Sequence, residues 1–73
     1  MTTEIAEFVV FPHDKSWKIY SSGELVAVYP TFQSAEADAQ RFSKELFRRG
    51  RPTAIRILSP EEATVFVRWV VES

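Results

Sequence analysis

The sequence predicts an α+β domain, an antiparallel sheet of about five strands in the order β-β-β-α-β-β with one helix packed on one face. Three observations predict it. Short runs rich in Val and Phe are separated by turn residues, with links too short for crossovers. One central segment repeats apolar residues at helical spacing. The chain of 73 residues has room for one small core, so residues 1–73 read as a single domain.

Ile5 to Phe11 is rich in Val and Phe and reads as a strand. Pro12-His13-Asp14-Lys15 reads as a turn, because Pro fixes φ and Asp bonds to nearby backbone. Trp17 to Tyr20 alternates apolar and polar residues and forms the second strand. Ser21-Ser22-Gly23 turns the chain again, with Gly23 supplying a positive φ. Leu25 to Tyr29 is the third strand, ended by Pro30. The three make an antiparallel meander.

The helix is expected from Ser34 to Arg49. Ser34 is the candidate N-cap, and Glu36 and Asp38 follow in the first turns, where the helix dipole favours anions. Ala35, Ala39, Phe42 and Leu46 form the buried stripe, with Phe47 at its edge. Arg48 and Arg49 occupy the last turn, Gly50 fits the left-handed position after it, and Pro52 prevents continuation. Ala54 to Leu58 then alternates around Arg56 as a fourth strand.

The last segment carries two conflicting signals. Ser59-Pro60-Glu61-Glu62 has the form of a capping box, and Ala63, Phe66, Val67 and Val70 would line a helix face. Val65, Val67, Trp69 and Val71 alternate, and the content of Val, Phe and Trp favours a strand. The preferred reading is a tight turn followed by a fifth strand from Thr64 to Val71. A C-terminal helix is the alternative.

The opening also carries a resemblance. Val10, Pro12, Trp17 and Ile19 resemble the Val-x-Pro, turn, Trp-x-Val start of the small prokaryotic uncharacterised-domain family numbered twenty-one eighty-eight. Phe32 and Ser34 match its approach to an Ala-rich helix, and Ile55 and Ile57 its later strand, so the likeness spans about Phe8 to Leu58. The chain departs from the pattern at Ser16, where Gly is usual, and at Asp38, where the register from Ser34 expects Ala. The resemblance implies a small β-β-α-β type fold and brings no activity with it.

Composition narrows the chemistry. There is no Cys, so disulfides, thiolate metal sites and a catalytic thiol are excluded. The single His, His13, lies in a polar turn, and Asp14 beside it need not face it. Glu61 and Glu62 are explained by a helix start or turn. Gly23 and Gly50 are isolated, so no phosphate loop is present. The expectation is a non-enzymatic protein with no cofactor. The start lacks a basic n-region, and the longest uncharged apolar run is far shorter than a membrane span, which together suit a cytoplasmic protein without membrane partners.

Charge is distributed unevenly although the net charge is only −1. Residues 1–40 hold six acids and two bases; residues 41–56 hold six bases and one acid. Arg41, Lys44, Arg48, Arg49 and Arg51 are therefore the candidate nucleic-acid contacts. A solvated helix end explains the same bases and is the preferred account.

The second candidate surface comes from the sheet. One helix covers one face, so Lys18, Tyr20 and Arg56, joined on the fifth strand by Phe66, Arg68 and Val70, are expected on the other. Such a face suits self-association, as a homodimer, or binding of another protein. Stacking of bases on Tyr20 and Phe66 is the alternative use. Trp17 and Trp69 read as core.

Overall fold

The computed structural model describes residues 5–72, and side chains through residue 68. Its elements are β1 (Ala6–His13), β2 (Ser16–Ser21), β3 (Glu24–Tyr29), α1 (Phe32–Arg48), β4 (Thr53–Ile57) and α2 (Pro60–Glu72). The α+β class agrees with the sequence reading. The sheet, however, has four strands in the order β3-β2-β1-β4, and it is mixed: β4 runs parallel to β1.

Both hairpins turn on two residues at positive φ, Asp14 (55°) with Lys15 (62°) and Ser22 (54°) with Gly23 (80°). Paired positive φ values match the right-handed strand twist, as in type I′ turns. The turn is shorter than expected, because Pro12 and His13 belong to β1, opposite Trp17 and Ser16. Pro12 lies beyond the last β1–β4 register pair, Val10↔Ile57, so its missing N–H costs no ladder bond there.

The meander leaves β3 parallel to β1, so the chain must cross over β2 and β1 to add β4. α1 makes that crossing. Its N-cap is Thr31 and not Ser34. Thr31 has extended backbone (φ −134°, ψ 156°) and its Oγ1 accepts from the Ser34 N–H at 3.1 Å. Ser34 is already inside the helix and donates its Oγ back to the Thr31 carbonyl. Glu36 and Asp38 consequently fall outside the first turn. The other end closes as expected. Gly50 (φ +83°) donates to the Phe47 carbonyl and Arg51 to the Leu46 carbonyl, the paired bonds of a Schellman motif.

Two cores lie on opposite faces of the sheet. On one face Phe8, Val10 and Ile19 pack against Ala35 and Ala39 of α1, with Trp17, Tyr29, Phe42, Leu46 and Ile55 around them. On the other, Val9, Phe11, Leu58 and Ala63 form a second cluster with Tyr20, Phe66 and Val67.

That second core corrects the reading of the last segment. The expected fifth strand from Thr64 is helix α2, and the reason is both local and tertiary. The Ser59 N–H donates to Glu62 at 3.2 Å and the Glu62 N–H donates to Ser59 Oγ at 3.4 Å, a reciprocal capping box. Helical spacing then sets Ala63, Phe66 and Val67 on the far face of β1. Burying them there outweighs the strand preference of the Val residues. The side chains of Trp69, Val70 and Val71 lie outside the described residues.

Candidate interaction surface

β2 and β4 direct Lys18, Tyr20 and Arg56 away from α1, as their alternation requires. α2 changes what that face is. The Tyr20 ring lies 5.2 Å from Phe11 and 5.4 Å from Phe66, edge-on to the latter. Phe66 is likewise 5.0 Å from Phe11. Tyr20 and Phe66 therefore belong to the seam between α2 and the sheet, and are not a joint platform on neighbouring strands. Arg68 is exposed on α2. Val70 belongs to α2 and its side chain is outside the described residues.

Lys18 and Arg56 have local partners. Lys18 Nζ is 2.6 Å from His13 Nδ1, which places the single His beside a cation. Arg56 reaches Glu62 at 3.8 Å. The bond from the Ser59 backbone holds the Glu62 carboxyl below its ordinary pKa, followed by the Ser59 hydroxyl, with Arg56 adding to the effect. Arg56 and Glu62 border an open groove of about 420 Å³ whose floor includes Val9, Leu58 and Phe66.

The basic set lies on and just after α1. Arg41, Lys44 and Arg48 line one shallow depression on its outer side with Gln40 and Glu45. Arg41 pairs with Asp38 at 3.2 Å and Arg49 with Glu45 at 3.5 Å, so part of the positive charge is answered on the helix itself. Arg51 follows in the C-terminal turn. Phe47, 72% exposed, stands among these bases.

Tyr29 is the other perturbed group. Its pKa is pushed up to about 12, chiefly by burial, then by the hydrogen bond to Asp38 and that residue's charge, with Arg41 opposing. A phenol whose folded pKa exceeds its ordinary value of 10.0 stabilises the fold fully below pH 10. That stability is lost as pH rises from 10 through about 12. Tyr29→Phe should therefore flatten the alkaline fall in stability over this window and remove the phenolate absorbance step at a pH of about 12.

Sequence reasoning missed the edges of the sheet. The β3 edge is irregular, with a register shift opposite Ile19 and Tyr20. The β4 edge is regular and five residues long. The Ala6 N–H donates to the Pro52 carbonyl and the Leu58 N–H to the Val10 carbonyl. Pro52 and Leu58 thus turn their polar backbone groups toward β1. In a parallel ladder the alternate residues, Thr53, Ile55 and Ile57, turn theirs outward. Among the described residues no strand pairs with them. Ile57 (47% exposed) lies on this edge, and Phe47 lies on the α1 flank that reaches it, one turn past the Ser43–Thr53 contact. Two apolar side chains beside an unpaired strand are the signal, and only the strand order reveals it.

No family model matches the chain, and no curated protein or solved structure matches it either. Among the described residues no helix is long and apolar enough to cross a membrane.

Proposed function

We propose that this chain is a non-enzymatic interaction module that binds protein through the open β4 edge of its sheet. One observation carries the reading: a regular strand edge whose outward backbone groups lack a strand partner, bordered by exposed Ile57 and Phe47. Natural sheets blunt their edges with bulges, Pro or charge. β3 bends at its register shift and also exposes Leu25, Val26 and Val28, whereas β4 is regular along its whole length and leaves Ile57 at its rim. Strand addition to such an edge is an established mode of protein recognition. Kinship with the family numbered twenty-one eighty-eight is part of this proposal and supplies no activity.

A nucleic-acid reading rests on a different observation, the exposed Phe47 ring among Lys44, Arg48 and Arg51. The ion pairs of Arg41 and Arg49 weaken it, and so does the net charge of −1. A photo-cross-linking residue placed in turn at Ile57, Lys44 and the exposed Gln33 separates the two in living cells. The expected result is a discrete protein adduct from position 57 and none from Gln33. Adducts to nucleic acid from position 44, with none to protein from 57, would replace this reading with the other.

A further inference from the structure

We infer that the occupant of the β4 edge is a second copy of this chain, paired antiparallel about a twofold axis through Ile55. The inference rests on the protein-binding reading above and names the partner.

The register follows from which backbone groups are free. Only Thr53, Ile55 and Ile57 face outward, so only they can form hydrogen-bonded pairs across the new interface. One antiparallel register uses all three: Ile55 opposite Ile55, and Thr53 opposite Ile57 in each direction. Each such pair exchanges two N–H···O=C bonds. Shifting by two residues in either direction leaves part of the strand unpaired. The result is one continuous sheet, β3-β2-β1-β4-β4-β1-β2-β3, with α1 of both copies on one face.

Side chains agree with this register. Thr53, Ile55 and Ile57 all project to the α1 face, since Ile55 and Ile57 stand beside Phe8 and Val10 in the β1–β4 register. Thr53 contacts Ser43 of α1, and Phe47 lies one helical turn beyond Ser43. Antiparallel pairing brings Ile57 of the second copy to Thr53, and hence toward Phe47. The exposed apolar residues at the two ends of the strand are thereby matched to each other, twice. On the opposite face Arg56 stands opposite Ala54 of the second copy and diagonal to its Arg56, and each Arg56 is answered by Glu62 of its own chain at 3.8 Å.

Charge supplies the independent argument. The approach to β4 is basic, with Arg48, Arg49 and Arg51, and its exit is acidic, with Glu61 and Glu62. Parallel pairing would set like charges together. The antiparallel register carries Arg51, which precedes β4, toward Ser59 of the second copy, two residues before its Glu61, so the basic approach to the strand meets the acidic exit at both ends of the interface.

The test uses the whole purified chain. Light scattering after size exclusion should give twice the monomer mass, falling toward the monomer on dilution. Ile57→Lys, at an exposed position where a Lys gates the edge, should abolish the dimer and leave the helical circular dichroism unchanged. Leu25→Lys, equally exposed on the other edge strand, should leave the dimer intact. Because the chain has no Cys, Ile55→Cys provides a geometric readout. Hydrogen-bonded antiparallel pairs hold their Cα atoms ~5.5 Å apart, within disulfide range, so oxidation should yield a covalent dimer. A wild-type monomer at every concentration overturns the inference. So does a dimer that survives Ile57→Lys without an Ile55→Cys cross-link. In either case the protein-binding reading is judged separately, by whether position 57 yields a cellular adduct with a different protein.

Discussion

Phe11→Ala is expected to release α2 from the sheet while the α1 layer stays folded. Phe11 is fully buried and meets both Tyr20 and Phe66. Truncating a buried Phe costs ~3–5 kcal/mol, from lost burial and the cavity left behind. A domain of this length has only roughly 4–11 kcal/mol in total. The loss is not shared evenly, because α2 is held by a single cluster: Val9, Phe11, Leu58 and Tyr20 beneath Ala63, Phe66 and Val67. Amide hydrogen exchange should show α2 opening freely in the variant, while the amides of Val10 and Ile19 remain slow. Uniform loss of protection across both layers would mean that the two cores unfold as one.

Ile19→Ala should behave differently. Ile19 is fully buried on the opposite face, against Ala35 and Ala39. The expected cost is ~2–5 kcal/mol, comparable to that of Phe11→Ala. Yet α1 spans all four strands and makes the crossover that holds β4 in the sheet. Loosening it has no local outlet. A single cooperative transition at much lower urea concentration is expected, with α2 lost at the same midpoint as the sheet. A biphasic transition would contradict this assignment of α1 as the element common to the whole fold.

The same contrast explains what the sequence could and could not convey. α1 was legible because Ala35, Ala39, Phe42 and Leu46 recur at helical spacing and Gly50 closes the end. The hairpins were legible because the turns at Pro12 to Lys15 and Ser21 to Gly23 are too short for a crossover. The β1 run Phe8-Val9-Val10-Phe11 is apolar on both alternations, the mark of a strand covered on both faces. A single-helix fold left one of those alternations without a cover, and the capping box at Ser59 and Glu62 was the local evidence for the missing helix. Strand preference in Val65 to Val71 masked it. The parallel placement of β4 could not be read at all, since the crossover by α1 chooses which edge the chain returns to.

The candidate surface was illegible for that last reason. Ile57 reads in sequence as one more apolar residue of an alternating strand. It becomes a rim residue only because β4 is the outermost strand. Tyr20 and Phe66 read as exposed for the opposite reason, because a fifth strand in place of α2 would neither cover the one nor bury the other.

The central claim is that β4 is completed by a second chain, and the amide protons of β4 report on it directly. Hydrogen exchange should be followed at Thr53, Ile55, Ile57 and Leu58 across a dilution series of the wild-type protein. The amide of Leu58, bonded to Val10 within the chain, should exchange at one slow rate throughout. Those of Thr53, Ile55 and Ile57 should be slow in concentrated protein and accelerate together as the dimer dissociates. Fast exchange of those three at every concentration, beside a slow Leu58, would show that nothing pairs with the edge and would contradict the account.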